Sequence, residues 1–235
     1  MAVKEPFKIL IFSKTAGYRH ESIHTGIVAL ESLASRSGLF ITTASEDDSL
    51  FELSTLSSYR VIVLLHTSGT FLHPFQLKVF QKYVRSGGGV VSIHGAASGM
   101  PLCAWYGQLI GAHFDMHPDP EKGSLIVSNT THPINDNERP PHDWVDEWYN
   151  FKSHPAKNTS LEILLRGDTS SFKGGKHGDD HPLAWCQEFE GGRSVYIALG
   201  HFPEAWASEW YVGFVKKGIM WAAEEQEQVE GTLSI

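Results

Sequence analysis

The sequence predicts an α/β protein: a mostly parallel β-sheet flanked by helices, with a β-hairpin near the C-terminus. Three observations carry this. Apolar runs in the first hundred residues are short and unbroken, as in VIVLL at 61–65, which suits strands buried on both faces. Between these runs, apolar residues recur at helical spacing. The resulting order of strand, helix, strand, strand, helix, strand implies crossover connections, which place helices against a parallel sheet.

KILIFS at Lys8–Ser13 is the first strand. Ile23, Ile27, Leu30 and Ala34 then make one helical stripe over Ser22–Ser37, closed by Gly38, a residue suited to the left-handed turn after a helix. Leu39–Ala44 is a second strand and Val61–Leu65 a third. Pro74 opens a helix that turns Leu77, Phe80 and Val84 inward and stops at Gly87–Gly89, and Val90–Ile93 follows as the fourth strand. Beyond residue 100 the periodicity loosens. Leu125–Ser128, Leu161–Leu165, Leu183–Phe189 and Ser194–Leu199 read as strands, the last two joined by Glu190-Gly191-Gly192-Arg193 as a tight hairpin. Trp210–Ala223 closes the chain as an amphipathic helix carrying Trp210, Phe214 and Ile219. The stretches 129–158 and 166–181, rich in Asp, Gly, His and Pro, are too long for simple connectors and read as functional or mobile loops. No repeat or linker divides the 235 residues, so a single domain is expected, with a core over 7–223 and a flexible polar tail over 224–235.

The formal charge of −8 argues against nucleic acid or an anionic membrane as partner, because binding there rests on clustered Lys and Arg. The start, MAVKEPFKILIF, shows no signal-peptide pattern. With two cysteines, Cys103 and Cys186, reduced thiols and a cytoplasmic location are the expectation, and the sequons at Asn129 and Asn158 carry none. Thirteen histidines and seven tryptophans point either to ligands and sugar platforms or to core filler.

In open parallel sheets, ligands bind beyond the carboxyl ends of the strands. The first strand is followed by Arg19, His20 and Glu21, the third by His66 and Thr67, the fourth by His94-Gly95 and the last by Gly200-His201-Phe202-Pro203-Glu204. Four strand ends carry four histidines. GGGVVSIHGAASG at 87–99 reads as a strand that turns sharply on small residues, the device that exposes a nucleophile, yet its tip is His94, a base or metal ligand rather than a nucleophile. In the irregular half, His113 and His117 stand four apart around Asp115 in what reads as a loop ending at Pro118. Asp146-Glu147-Trp148-Tyr149-Asn150-Phe151 is either an edge strand or turn whose rings pack inward, or a carboxylate beside a stacking platform for a polyol. His181-Pro182 caps a strand start. Gly87-Gly88-Gly89 precedes a strand and is no phosphate loop, no HExxH, CxxC or GxSxG occurs, and Cys103 lacks an evident local base.

AGYRHESI at 16–23, GGGVVSIHGAA at 87–97, the FxxHP of 114–118, DEWYNF at 146–151, HPLAWCQEFEGGRSVYIALGH at 181–201 and the closing GIMWAA resemble the ThuA-like family, named for trehalose utilisation. The resemblance covers 7–223. It implies a flavodoxin-like fold related to class I glutamine amidotransferases, where a Cys occupies the elbow and a His with a Glu comes late as His-Pro-Glu. Gly200-His201-Phe202-Pro203-Glu204 is similar to that late motif, and His94 stands where the thiol would be. Acyl transfer needs a thiolate there, so amidotransferase activity is not expected. The resemblance also adds weight to His20, His117 and Glu147.

The expected function is an enzyme acting on a sugar or keto-sugar glycoside, as hydrolase, lyase or isomerase. His94, His201, Glu147 and His20 are the catalytic candidates, and Arg19, Thr67, Tyr149 and Trp148 the substrate-binding ones. A divalent metal, zinc by ligand type, is expected on His117, His113 and His94, with no nucleotide cofactor. The expected partner is a small-molecule sugar or glycoside, with a homo-oligomer open. A non-catalytic sugar-binding or regulatory module is the alternative, and a hydrolase using Cys103 a third.

Overall fold

In the computed structural model, which describes residues 5–135 and 139–224, the chain forms an eight-stranded sheet with helices packed on it. Its elements are β1 (Phe7–Phe12), α1 (Ser22–Ser37), β2 (Phe40–Ser45), α2 (Leu53–Leu56), β3 (Val61–Leu65), α3 (Pro74–Arg85), β4 (Gly89–Ile93) and α4 (Ala104–Ile110). They continue with β5 (Phe114–Met116), β6 (Glu121–Gly123), β7 (Leu125–Val127), β8 (Trp144–Asp146), β9 (Asn150–Phe151), β10 (Glu162–Gly167), β11 (His181–Phe189), β12 (Gly192–Ile197) and α5 (Glu209–Ala223).

The sheet runs β2-β1-β3-β4-β12-β11-β10-β7. The first five of these strands are parallel and follow the flavodoxin-like order, while β11, β10 and β7 add as antiparallel strands. Burial explains the pattern. Every residue of β3 and β4 is buried, because helices cover both faces of the parallel part. α1 and α5 pack together, and α5 also lies on β3, β4 and β12. Phe12, Phe51, Phe71, Phe80, Tyr83, Trp105 and Tyr106 form a continuous aromatic layer under α3 and α4. The predicted hairpin joins β11 to β12 through Glu190 and Gly191 alone, both at positive φ (49° and 95°). That is the two-residue turn whose twist matches the flanking strands.

Differences gather beyond residue 100. The short helix α4 stands where the sequence shows no usable stripe. The stretch 129–158 is not a simple loop: it supplies β8 and β9, which pair with β6 and β5 as two small antiparallel sheets. Strands of two or three residues are too short to show a period, so composition alone cannot reveal them. The segment 172–178 is strapped to β9, since Asn150 accepts the Lys176 N–H at 2.6 Å and donates to the Gly174 carbonyl at 3.1 Å. The expected tail lies, beyond Glu224, outside the described residues. Among the described residues, no helix is long and apolar enough to cross a membrane.

Candidate functional site

The carboxyl ends of β1, β3, β4 and β12 bring four histidines together. The ring centre of His20 lies 4.6 Å from that of His66, 4.8 Å from His94 and 5.2 Å from His201. His66 and His94 both turn the chain at positive φ, 54° and 44°. Such a conformation costs a residue with a Cβ roughly 1–3 kcal/mol, and strain of this kind collects at functional sites. Gly95 makes room for the packing, because a Cβ there would stand 2.8 Å from Cε1 of His20.

Glu147 reaches the same place from the irregular half, just after β8. Its Oε2 lies 3.2 Å from His94 Nε2 and 3.1 Å from His201 Nδ1, and its Oε1 lies 3.3 Å from His117 Nε2. His94 Nε2 and His201 Nδ1 are 3.3 Å apart. The tautomers follow from the other ring nitrogens. His94 Nδ1 is 2.5 Å from the Ala198 carbonyl and His117 Nδ1 is 2.8 Å from the Pro118 carbonyl. A carbonyl only accepts, so both Nδ1 atoms carry the proton. The Nε2 atoms facing Glu147 then either bear a second proton or present a lone pair. Two lone pairs aimed at a carboxylate repel, so this arrangement takes up positive charge, as protons or as a cation.

Burial opposes ionisation of Glu147, but hydrogen bonds from His201 and His94, and their charges, hold its pKa well below the usual carboxylate range. Burial, followed by the charges of His94 and His201, pushes His20 down to about 3, and burial also drives His66 far down, so both are neutral near pH 7. His66 Nε2 meets Ser22 Oγ at 3.2 Å, whereas His20 Nδ1 and His66 Nδ1 are buried without a hydrogen-bond partner. Solvent reaches the cluster through His201 and His117, whose side chains are 16% and 34% exposed. Tyr18, 66% exposed, stands edge-on to His20 at 4.8 Å, and Phe202 lies against His201 at 4.5 Å.

The cluster therefore gathers His20, His94, His117, His201 and Glu147, with His66 behind. Other expectations need correction. Arg19 is turned to an exposed, two-point pair with Glu46 at 2.7 and 3.0 Å and does not join the site. Thr67 is fully buried, next to Tyr106. Trp148 has no exposed surface: it stacks on Phe172 at 4.4 Å and its indole donates to the Glu121 carbonyl, so it cannot present a face to a sugar. Tyr149 is buried too, packed 4.1 Å from His94 as a wall of the cluster rather than an open platform. His113 packs beside Gly107 and Tyr106 of α4, on the far side of β5 in sequence from His117, and is not a ligand candidate. Three residues (β5 itself) separate them, and His117 lies instead against Tyr149. Cys103 sits at the N-cap of α4 and is not among the groups that converge on Glu147. Two contributors escaped the sequence reading: Tyr18, inconspicuous beside His20, and the specific part played by Asp146.

Among the described residues, two groups of side chains come close enough to hold a cation. In the first, one ligand atom each from His20, His94, Glu147 and His201 lies within 4.8 Å of the others. The second is His132, Glu162 and Cys186. Its chemistry fits poorly. His132 Nδ1 accepts the Ile134 N–H at 3.2 Å, which places the ring proton on Nε2, the atom facing Cys186. Burial pushes the Cys186 thiol up to about 12, so without a cation the sulfur keeps its proton.

Fold and cluster together define a class: a flavodoxin-like α/β domain with an imidazole–carboxylate centre at the carboxyl edge of its parallel strands. The chain belongs to the ThuA family, described as trehalose utilisation, whose sequence pattern matches residues 8–222. Its fold is similar to that of a ThuA-like protein from Bacteroides uniformis, with a TM-score of 0.80, 23% identity, and 94% of each chain covered. A ThuA-like protein from Parabacteroides merdae aligns with a TM-score of 0.71 and 20% identity, over 95% of this chain and 93% of that one. A cytoplasmic protein from Salmonella typhimurium aligns at 0.65 and 15% identity, over 93% of this chain and 100% of that one. No curated protein matches the sequence. The family suggests a sugar-related role.

Proposed function

We propose that the chain is an enzyme of sugar catabolism, acting on a glycoside or keto-sugar related to trehalose through histidine–carboxylate chemistry. One observation carries the reading: a single buried carboxylate, Glu147, is met by three imidazole nitrogens at 3.1–3.3 Å. Proton abstraction beside a sugar carbonyl, or protonation of a glycosidic oxygen, needs a base and an acid held in fixed relation. His94 can take a proton on Nε2 while the Ala198 carbonyl fixes its Nδ1–H. His201 and His117, the exposed members, meet the substrate first. His20 stays neutral and lines the floor. Tyr18 replaces Trp148 and Tyr149 as the aromatic face for a sugar ring, because it alone of the three is exposed.

The donor set also fits zinc. Ligands about 2.0–2.1 Å from a tetrahedral ion stand about 3.3 Å apart, and the three separations among His94 Nε2, His201 Nδ1 and Glu147 Oε2 are 3.2, 3.1 and 3.3 Å. His94, His201 and Glu147 would hold the ion, with His20 beside them. Bound there, it would supply Lewis acidity toward a carbonyl or water oxygen. The purified protein, with and without added zinc, should be assayed on trehalose, simple glucosides and their 3-keto derivatives. Turnover is expected on at least one of them, falling at least 100-fold in Glu147→Gln and His94→Ala. No turnover across that panel, with sugar binding and metal content unchanged in His94→Ala and His201→Ala, rejects the reading.

A second reading is a sugar-binding module without catalysis. The observation that favours it is the strained elbow at His94, built like a nucleophile turn but without a nucleophile. Calorimetric binding of an unmodified sugar with no turnover of it would decide for this alternative.

A further inference from the structure

Asp146 precedes Glu147 in sequence, has no exposed surface and accepts four hydrogen bonds. Its Oδ2 takes the Trp144 indole N–H at 2.9 Å and the Gly200 N–H at 2.8 Å. Its Oδ1 takes the N–H of Glu147 at 3.0 Å and of His201 at 3.2 Å. We infer that Asp146 is a positioning residue, a buried staple that sets Glu147 and His201 in register with each other. The proposal rests on the centre described above and concerns how its geometry is held.

Glu147 and His201 come from parts of the chain more than fifty residues apart, one after a three-residue strand and one after β12. No backbone ladder joins β8 to β12; β8 pairs only with β6 within the described residues. The tie between them is this carboxylate, and it grips the main-chain N–H of each of the two residues whose side chains meet at 3.1 Å. All four partners are donors, so the position takes a group that only accepts. Asparagine has nearly the same shape, yet its NH2 would face two of these N–H groups and leave them buried and unpaired. Gly200, at φ 106°, brings the chain sharply round to the carboxylate, so the geometry is over-determined at that corner. Carboxylates that orient the ligands of a metal or catalytic centre commonly change its affinity 10–100-fold when altered.

Asp146→Asn is the test, on the full chain, with two readouts. The imidazole nitrogen resonances of His94 and His201 are recorded in metal-free protein, and zinc affinity is measured by competition with a chelating dye. The variant is expected to move both sets of resonances and to bind zinc 10–100-fold more weakly, with a far-ultraviolet spectrum like that of the unaltered protein. Unaltered imidazole resonances, together with zinc affinity within twofold of the parent, would overturn the inference. If the parent protein binds no zinc, the metal reading fails by itself and the resonances alone decide on Asp146. Should Asp146→Asn not fold, Trp144→Phe removes one donor and keeps the carboxylate. It is then expected to shift the His201 resonances and weaken zinc two- to fivefold, and a spectrum identical to the parent's would overturn the proposal.

Discussion

The two halves of the chain build one site by different means. Residues 7–100 place His66 and His94 just past parallel strands whose register is set by backbone ladders, and His20 at the end of the loop from β1 to α1. Residues 101–180 supply Glu147, His117 and Asp146 in or next to strands of three residues, in two small sheets apart from the main one and tied to it by side-chain hydrogen bonds. The difference teaches how charge is placed in such a fold. A buried parallel strand has no room for a carboxylate along its length, so the ionised group arrives on irregular chain that can wrap around a polar centre. The regular half provides fixed positions, and the irregular half provides charge.

Damage to each half should therefore differ in kind. Leu64→Ala, in the middle of fully buried β3, is expected to cost about 2–5 kcal/mol and lower the melting temperature of the whole domain in one cooperative step. Two separate transitions in calorimetry would show instead that the halves melt independently.

Acid should loosen the strapped segment before β3, although His20 and His66 of the regular half also resist protonation. Burial, then the charge of His177, lowers the His181 pKa from 6.5 to about 4. The unfolded chain thus binds a proton that the folded chain refuses, and stability rises with pH across that interval. This contribution is complete above pH 6.5 and is lost as pH falls toward about 4. His181 lies edge-on to Phe172, so amide exchange in the segment 172–181 should quicken before that of β3. Simultaneous loosening of both would break the comparison.

The smallest effect belongs to Arg19→Ala. The pair with Glu46 is half exposed, and such pairs contribute at most about 0.5–1 kcal/mol. Thermal stability and any sugar turnover should stay within error of the parent. A large loss of turnover would return Arg19 to the site.

Legibility of the sequence follows the same division. β3 and α1 have the bounds that their apolar patterns predict, because continuous burial and a helical stripe are both local signals. His20, His66, His94 and His201 were visible because a strand followed by a polar residue marks the edge where sites form. Glu147 is offered by the mix of carboxylates and rings in its segment, and the family motif adds the weight that spacing lacks. The DEWYNF segment shows why: its two carboxylates look alike in sequence, while one binds imidazoles and the other binds N–H groups. Its rings look like sugar platforms, yet Trp148 and Tyr149 are buried.

By itself, then, the sequence determined the parallel sheet, the long helices α1, α3 and α5, the hairpin and the strand ends at which histidines stand, since each is signalled by neighbours within a few residues. Only the tertiary structure decided which carboxylate meets those histidines, which aromatic ring remains open, and that Arg19, Thr67 and His113 stay outside the cluster. Those outcomes depend on contacts between separate segments, from Arg19 with Glu46 to Glu147 with His94, where hydrogen bonds and burial select one arrangement.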